Sequence, residues 1–325
     1  MQKKKKIVFR ADASASIGYG HFIRSLALAD MLKNNFDCVF ATVEPTEYQI
    51  EEIKKVCFAV PLISNNHFQE FLSILSGEEI VVLDNYFFTT TYQKEIKDKG
   101  CKLVCVDDIH DKHYVADLVI NHSVTDQSLF SVEKATKFCL GFEWALLRKP
   151  FVDAAISNKT KSSVKKISRV VVGFGGVDKY NLTGKTVEFL LQQESISQID
   201  AIIGNAYQGN KSFNTNKKLF FHQNISAEEV ARLFSSCDLA ILSASTICIE
   251  ALACKATVAA GYYVDNQESV YKLWNENKNI VGLDNLLDLS FLNKLETFLN
   301  SPSSLSFKLN IEDICQRYIR VFQEL

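Results

Sequence analysis

Short apolar runs alternate with longer amphipathic runs through both halves of the chain, and this alternation restricts the possible folds more than any other feature. The apolar runs have the length of buried strands, and the runs between them repeat apolar residues at helical spacing. In the first half the predicted strands are residues 7–9, 38–41, 58–62, 80–83, 103–106 and 118–120, and the predicted helices are residues 23–32, 68–75 and 92–99. Strands and helices that alternate in this way form a parallel sheet with right-handed crossovers.

The second half repeats the pattern. Its predicted strands are residues 169–172, 199–203, 219–221, 239–242 and 257–260, and its predicted helices are residues 183–191, 228–234, 247–254, 268–274, 286–299 and 311–322. A polar, lysine-rich stretch at 157–168 separates the halves, and 325 residues are enough for two domains. We therefore expect an α/β protein of two doubly wound Rossmann-like domains facing a central cleft: an N-terminal domain at 1–156, a linker at 157–168 and a C-terminal domain at 169–325.

Composition narrows the class of protein. Hydrophobic residues make up 47% of the chain and charged residues 23%, which is typical of a soluble globular protein. A net charge of −2 gives no reason to expect nucleic acid as a partner, and no apolar run is long enough for membrane insertion. The nine cysteines form no CxxC pair and most lie in apolar runs, so we expect reduced thiols in a cytoplasmic protein.

A glycine-containing loop links the first predicted strand to the first predicted helix. Gly18 and Gly20 lie at this turn, where the backbone can approach a ligand closely, and His21 follows at the start of the helix. A helix N-terminus disfavours the imidazolium form, so we expect His21 to be neutral near pH 7 and able to act as a base. The alternative is a glycine turn followed by a histidine that only caps the helix or packs.

A second glycine loop follows the first strand of the second half. The segment Gly173-Phe-Gly-Gly176 is similar to a dinucleotide fingerprint but lacks its full spacing. Gly175 and Gly176 therefore indicate either a phosphate cradle or a turn required for packing. Asp178 and Asn181 lie just beyond, and either could simply cap the next helix.

Two further loops of the second half carry polar side chains. In Ser243-Ala-Ser-Thr-Ile-Cys-Ile-Glu250, Ser245 and Thr246 could offer hydroxyl and backbone N–H groups to a diphosphate. Glu250, about one turn into the helix, could accept hydrogen bonds from ribose hydroxyls. The alternative is an N-cap serine and a surface glutamate.

The segment Val264-Asp-Asn-Gln-Glu-Ser269 opens the next predicted helix. Its polar side chains Asn266, Gln267 and Glu268 suit several hydroxyl groups of a sugar or nucleotide. The alternative is an ordinary helix start with capping.

One acidic and histidine-containing loop could suggest a metal. Asp107, Asp108, His110, Asp111 and His113 follow a predicted strand, but no second pair of ligands lies at a familiar spacing. We interpret the segment as a polar loop at the end of the strand and predict no metal site.

Taken together, these segments resemble a known family. The chain resembles the nucleotide-sugar hydrolases of pseudaminic acid biosynthesis, which act on UDP-2,4-diacetamido-2,4,6-trideoxy-β-L-altropyranose and are similar in fold to the GT-B glycosyltransferase that completes lipid II. The matching stretches are Phe9-Arg-Ala-Asp12, Ile17-Gly-Tyr-Gly-His21 with Arg24, Leu83-Asp-Asn-Tyr86, Val106-Asp-Asp108, Gly141-Phe-Glu-Trp-Ala-Leu-Leu-Arg148, Gly175-Gly-Val-Asp178 with Asn181, Ser243-Ala-Ser-Thr246 with Glu250, and Asn266-Gln-Glu-Ser269. They occur in the expected order over most of the chain, up to about Gly282.

The resemblance implies roles for individual residues. His21 matches the proposed base of the family, and Glu250 resembles the ribose-binding glutamate of GT-B enzymes. The other residues that it implies in substrate binding are Gly18, Gly20, Arg24, Tyr86, Arg148, Gly175, Gly176, Asn181, Ser245, Thr246, Asn266, Gln267 and Glu268. Asn85 departs from the aspartate-histidine-tyrosine pattern of the family, so the middle position of that triplet should carry no essential chemistry.

The activity implied is hydrolysis of a UDP-activated deoxyamino sugar to UDP and free sugar, with the UDP-sugar as small-molecule partner and no cofactor. A GT-B glycosyltransferase that uses a UDP-sugar donor and a non-catalytic UDP-sugar-binding protein remain alternatives, because exclusion of water depends on the shape of the site.

Overall fold

The apolar runs of the first half form a seven-stranded parallel sheet in the computed structural model of the protein. The structure describes residues 4–14, 17–157, 166–204, 207, 209, 216–302, 311 and 313–325, without the side chains of Ser64 and Asn266. The chain divides into unit 1, Met1–Lys149 with Asn310–Leu325, and unit 2, Pro150–Leu309. No helix in the described ranges is long and apolar enough to cross a lipid bilayer. All nine cysteines are free thiols.

The sheet of unit 1 has the strand order β3-β2-β1-β4-β5-β7-β9, and every neighbouring pair is parallel. Its strands are β1 (Lys6–Ala11), β2 (Asp37–Val43), β3 (Phe58–Leu62), β4 (Ile80–Asp84), β5 (Lys102–Val106), β7 (Leu118–Asn121) and β9 (Lys137–Leu140). Two short strands, β6 (His113–Tyr114) and β8 (Ser131–Val132), pair with each other. The order reverses direction between β1 and β4, so the loops after these strands diverge and leave room for a ligand.

Helices cover both faces of this sheet, as parallel sheets require. They are α1 (Gly20–Leu32), α2 (Glu47–Lys54), α3 (His67–Ser73), α4 (Thr90–Asp98) and α11 (Ile314–Gln323). On one face Val8, Val81, Leu103 and Val119 pack in a cluster with Phe71 of α3. All five side chains are buried, and burial of this kind stabilises by about 25 cal/mol per Å² of apolar surface.

The sheet of unit 2 has six parallel strands in the order β12-β11-β10-β13-β14-β15. The strands are β10 (Arg169–Gly173), β11 (Gln198–Ile203), β12 (Leu219–Gln223), β13 (Leu239–Ser243), β14 (Thr257–Tyr262) and β15 (Val281–Asn285). The helices are α5 (Lys149–Ser157), which begins at the boundary of the units, α6 (Leu182–Leu191), α7 (Ala227–Ser236), α8 (Thr246–Ala253), α9 (Asp265–Glu276) and α10 (Ser290–Asn300). Here the switch in strand order lies between β10 and β13.

The expected alternation of strands and helices is present in both halves, but the expected domain limits differ from the observed units at both ends. The last helix was expected in the C-terminal domain at 169–325, whereas α11 belongs to unit 1. Its buried side chains explain this position: Phe322 contacts Phe36 edge-on at a centroid distance of 6.3 Å, and the Tyr318 hydroxyl donates to the Trp144 carbonyl at 2.6 Å. An amphipathic helix at a chain terminus packs wherever an apolar groove is open, and sequence does not specify which unit supplies it.

The N-terminal domain was expected to end at residue 156, whereas unit 2 already begins at Pro150 and includes most of α5. Residues 158–165 of the expected linker lie outside the described residues.

Candidate functional site

The loop between β1 and α1 places His21 in the first turn of a helix. Gly18 adopts φ +82°, a conformation that favours glycine, and its N–H donates to the Ser14 carbonyl at 2.8 Å. Helix α1 begins at Gly20 and has neither a side-chain cap nor an acidic residue in its first turn. A Cβ at Gly20 would meet no atom within 4 Å, so the space beside the first N–H groups is open. The loop therefore exposes backbone donors next to His21.

Asp84, the last residue of β4, fixes the orientation of the His21 ring. The Asp84 carboxylate is fully buried, and its Oδ1 lies 2.7 Å from Nδ1 of His21. An ionised carboxylate can only accept hydrogen bonds, so Nδ1 carries a proton and donates it to this bond. Arg24 Nη2 also lies 3.1 Å from Nδ1, but it too donates to Oδ1 of Asp84, so both groups share one acceptor. In the neutral ring the unprotonated nitrogen is then Nε2.

Arg24 keeps Asp84 ionised. Its Nε donates to Oδ2 of Asp84 at 2.7 Å and its Nη2 to Oδ1 at 2.5 Å, a two-bond pairing that Ser25 Oγ supplements at 2.9 Å. Burial alone would raise the pKa of Asp84, but the charge of Arg24 and the bonds from Arg24 and His21 hold that pKa well below its usual range. Burial alone would lower the pKa of Arg24, but the negative charges of Asp108 and Asp84 outweigh it and raise this pKa well above the ordinary value.

A second carboxylate closes a ring of five side chains. Asp108, two residues after β5, pairs with Nη1 of Arg24 and accepts a hydrogen bond from the Tyr86 hydroxyl at 2.9 Å. The Tyr86 ring meets the His21 ring edge-on at a centroid distance of 4.5 Å. The ring therefore runs from His21 through Asp84, Arg24, Asp108 and Tyr86 back to His21. With His21 neutral, the net charge of the ring is −1, because the two carboxylates of Asp84 and Asp108 outnumber the single guanidinium of Arg24.

Arg24 and Tyr86 were both predicted to bind the substrate. In the structure Arg24 is 5% exposed and bound by two carboxylates, whereas Tyr86 is 40% exposed. Neither Asp84 nor Asp108 was proposed as a site residue. The available signal was a carboxylate directly after a buried strand, but sequence does not show which of several such residues faces the histidine.

Asn85 has a structural role. Its Oδ1 accepts a hydrogen bond from the Asp12 backbone N–H at 2.7 Å, which joins the chain after β4 to the chain after β1. Asp12 in turn accepts from the Val43 backbone N–H at 2.8 Å and pairs with the buried Arg10. The amide of Asn85 thus supports the loop that carries the first turn of α1.

Arg148 lies in unit 1 between β9 and α5 and is half-buried. Its role in substrate binding stays a prediction.

In unit 2 the glycine loop follows β10, beside the switch in strand order. Gly175 has φ +89°, and a Cβ at Gly176 would meet no atom within 4 Å. A Cβ at Gly204, by contrast, would lie 2.1 Å from the Gly176 carbonyl oxygen. The chain after β11 therefore packs against this loop on one side, while Gly176 leaves open space for a ligand to approach the backbone.

Asp178 and Asn181 have different roles at the start of α6. The Asp178 carboxylate accepts hydrogen bonds from the Leu182 and Thr183 backbone N–H groups, both at 2.8 Å, and so caps the helix. Asn181 has φ +51° and makes no capping bond, and its Oδ1 accepts from the Tyr207 hydroxyl at 3.0 Å. Capping thus accounts for Asp178 but not for the side chain of Asn181.

The amino end of α8 lies next to this glycine loop, because β10 and β13 pair at Gly173 and Leu242. Ser245 is the N-cap residue but makes no side-chain capping bond, and Thr246 is the first helical residue. The first N–H groups of α8 therefore have no side-chain cap, a feature of helix ends that bind anions. Glu250 is 5% exposed, so it is not the surface glutamate of the alternative interpretation.

The polar residues predicted to bind substrate at the start of α9 have different surroundings in the structure. Gln267 Oε1 accepts from the Tyr263 backbone N–H at 3.2 Å, and the Tyr263 hydroxyl donates to the Phe174 carbonyl at 3.0 Å. Glu268 pairs with Lys272 along the helix at 2.7 Å. The side chain of Asn266 lies outside the described residues.

The two histidines of the acidic loop after β5 contact different partners. His110 packs on Phe130 at a centroid distance of 5.2 Å, while His113 contacts Ser131 Oγ at 2.8 Å and Glu133 at 3.2 Å. Within the described ranges no three His, Cys, Asp or Glu side chains come together as ligands for a metal ion.

Comparisons with known proteins give both a fold and a family. No protein-family model matches the chain. The MurG protein of Acinetobacter baumannii superposes with a TM-score of 0.64 at 13% identity, over 99% of this chain and 100% of that one. A UDP-GlcNAc 2-epimerase of Methanocaldococcus jannaschii gives a TM-score of 0.63 at 13% identity, over 98% of this chain and 100% of its own. These likenesses show the fold, two Rossmann-like domains of the GT-B type.

Two proteins are related in sequence. An uncharacterized protein of Methanocaldococcus jannaschii is 26% identical over 281 residues, 82% of this chain, and the chain spans 57% of that protein's length. A UDP-2,4-diacetamido-2,4,6-trideoxy-β-L-altropyranose hydrolase of Campylobacter jejuni is 30% identical over 274 residues, 81% of this chain and 94% of that protein. With that identity over most of both sequences, the chain belongs to the family of the UDP-2,4-diacetamido-2,4,6-trideoxy-β-L-altropyranose hydrolases.

Proposed function

We propose that this protein hydrolyses a UDP-activated deoxyamino sugar to UDP and free sugar, with UDP-2,4-diacetamido-2,4,6-trideoxy-β-L-altropyranose as the substrate. The reaction would serve pseudaminic acid or related nonulosonate biosynthesis. The single observation that carries the proposal is the 2.7 Å contact between His21 Nδ1 and Asp84 Oδ1. It leaves Nε2 of His21 as the basic nitrogen, and Nε2 makes no hydrogen bond to any described residue.

The chemistry is a displacement at the anomeric carbon. The oxygen of a water molecule attacks this carbon while Nε2 of His21 takes a proton from the water. The bond between the anomeric carbon and the β-phosphate oxygen breaks, and its electron pair leaves with UDP. The net negative charge of Asp84, Arg24 and Asp108 stabilises the imidazolium formed at His21, and general base catalysis of this kind contributes roughly 10²–10⁴-fold.

Unit 2 supplies the groups that suit a nucleotide. The backbone N–H groups at the start of α8, with Ser245 and Thr246, would bind the diphosphate, and Gly175 and Gly176 would let the backbone approach it. Glu250 would accept hydrogen bonds from the ribose hydroxyls. UDP is a good leaving group, so the proposed mechanism requires no metal.

The test is release of UDP from a panel of UDP-sugars without any added acceptor, with NMR of the sugar product. A hydrolase forms UDP and free sugar in equal amounts, and His21→Asn should abolish most of this release. Release that requires an added acceptor would indicate a glycosyltransferase instead. Binding without release of UDP under either condition would indicate a non-catalytic UDP-sugar-binding protein.

A further inference from the structure

A second histidine, His122, lies at the same edge of the unit 1 sheet as His21. Strands β5 and β7 pair with Val106 opposite Ile120, so the residues two positions further, Asp108 and His122, follow the ends of neighbouring strands. Asp108 is the carboxylate that joins Arg24 to Tyr86. The row of loops after β1, β4, β5 and β7 therefore contains His122 at its far end.

The His122 ring forms no hydrogen bond within the part of the chain that the structure describes. The residue is 6% exposed, and its Nδ1 is buried without a hydrogen-bond partner among the described residues. Neighbouring acceptors are already engaged: Asn121 Oδ1 binds the Ser123 and Val124 backbone N–H groups, and the Asp108 oxygens bind Arg24 and Tyr86. An unpaired buried polar atom costs about 1–3 kcal/mol, so a purely structural role would favour an apolar residue here.

The other ring nitrogen is the one that a ligand can reach. Nε2 of His122 bonds to no described residue, and it is not among the fully buried atoms. Such a side chain, mostly buried and open at one polar atom, is held in place by packing and presents a single directed hydrogen-bonding group.

The charge state of His122 restricts what it can bind. Burial, followed by the positive charge of Arg24, lowers the pKa of His122 from 6.5 to about 4. The ring is therefore neutral near pH 7 and cannot supply positive charge to a diphosphate. It suits an uncharged donor or acceptor, such as the hydroxyl or acetamido groups of a sugar.

We propose that His122 contacts the sugar of the nucleotide-sugar substrate through a hydrogen bond from or to Nε2, and that it determines which sugar substituents are accepted. This proposal rests on the proposed function, and it extends that function to the part of unit 1 beyond the ring of His21, Asp84, Arg24, Asp108 and Tyr86.

The experiment compares His122→Leu, which removes the hydrogen bond, with His122→Gln, which keeps a neutral hydrogen-bonding group. Both changes are made in the full chain carrying His21→Asn, so that the substrate is not consumed. Calorimetry measures the Kd of UDP-2,4-diacetamido-2,4,6-trideoxy-β-L-altropyranose and of UDP alone, and His113→Gln serves as a control. Loss of one directed hydrogen bond should raise the Kd of the UDP-sugar by roughly 5- to 100-fold in His122→Leu.

The Kd of UDP should stay within about twofold in both variants, and His122→Gln should recover most of the affinity for the UDP-sugar. Equal weakening of UDP and UDP-sugar, or an unchanged Kd of the UDP-sugar in His122→Leu, would overturn the proposal. The proposal would also be overturned if the His21→Asn protein with His122 intact bound the UDP-sugar no more tightly than UDP. If His122→Leu does not fold, His122→Gln is compared with His122→Asn, whose amide group is one methylene closer to the backbone. The Kd of the UDP-sugar should then rise more in His122→Asn than in His122→Gln, while the Kd of UDP stays unchanged in both, and equal Kd values of the UDP-sugar in the two variants would overturn the proposal.

The two proposals can fail separately. Absence of UDP release by the protein without the His21→Asn change overturns the hydrolase function, while the binding measurement still decides whether His122 contacts the sugar.

Discussion

The Asp84 carboxylate accepts a hydrogen bond from Nδ1 of His21 at 2.7 Å, with the carboxylate fully buried at the end of β4 and the histidine in the first turn of α1. The two residues are 63 positions apart in sequence. Their contact selects the tautomer of the ring, because an ionised carboxylate can only accept a hydrogen bond, and it leaves Nε2 as the basic nitrogen.

His21→Asn should reduce UDP release by roughly 10²–10⁴-fold, because it removes the proposed general base. The Kd of UDP should stay within a few-fold, since the groups proposed to bind UDP lie in unit 2. Steady-state kinetics and calorimetry with UDP provide the two measurements. Turnover near that of the wild type would remove His21 from the mechanism.

Asp84→Asn should also reduce turnover, by roughly 10²–10⁴-fold, because a neutral amide no longer fixes the His21 tautomer or stabilises imidazolium. Arg24 would retain only Asp108 as a carboxylate partner, so some loss of stability is expected as well. A thermal unfolding curve shows whether the variant is folded under assay conditions.

The matched control is Asp117→Asn. Asp117 also pairs with a basic side chain, Lys97, and accepts a hydrogen bond from the Leu103 backbone N–H. It lies directly before β7, at the end of the sheet opposite to Asp84. Turnover should be retained in the control. A folded Asp84→Asn protein with normal turnover would contradict the assigned role of the carboxylate.

Glu250→Gln should weaken UDP binding by about 1–3 kcal/mol, because charge-assisted hydrogen bonds to the ribose hydroxyls are replaced by neutral ones. The amide keeps the size of this buried side chain, so the packing of α8 is preserved. Calorimetry with UDP measures the effect, and Glu188→Gln on the exposed face of α6 is the control. An unchanged Kd would assign Glu250 to the structure of its helix alone.

Treatment with a chelator should leave UDP release unchanged, and the double variant His110→Ala/His113→Ala should remain active. The two histidines contact different partners, Phe130 and Glu133, and the proposed mechanism uses neither. Loss of activity that a divalent ion restores would contradict the metal-free mechanism.

The pKa of His122 predicts a pH dependence of stability in unit 1. Because the folded pKa is about 4 and the unfolded value 6.5, the unfolded chain binds more protons between these two pH values. The free energy of unfolding should therefore fall as the pH falls through this window. His122→Gln removes this contribution, so the variant should lose roughly 2 kcal/mol less than the wild type between pH 7 and 4.5.

Urea unfolding followed by tryptophan fluorescence measures this effect. Trp144 lies in unit 1 and Trp274 in unit 2, so a Trp274→Phe background reports on unit 1 alone. The lowered pKa values of Asp84 and Asp108 contribute at lower pH, where these carboxylates begin to protonate. Identical slopes for the wild type and His122→Gln between pH 6.5 and 4.5 would show that His122 is not held neutral by the fold.

The sequence by itself determined the parallel α/β architecture of both halves, since buried parallel strands must be continuous apolar runs and the helices between them must be amphipathic. The positions of Gly18, His21 and Ser245 after the carboxyl ends of strands could be predicted for a local reason as well, because glycines and polar residues follow buried strands at these points. The edge strands β9 and β15 were not predicted. The strand β9 is only four residues long, and β15 contains Gly282, Asp284 and Asn285, residue types that are depleted in strands.

Only the tertiary structure decided which polar residues meet. Asp84, Asp107 and Asp108 all lie at or just after the ends of buried strands, yet only Asp84 bonds to His21, and Asp107 caps its own loop instead. Strand order and register set these contacts, and neither is encoded by the local pattern of one strand. The docking of α11 on unit 1 is decided in the same way, by which apolar groove remains open once the sheet has formed.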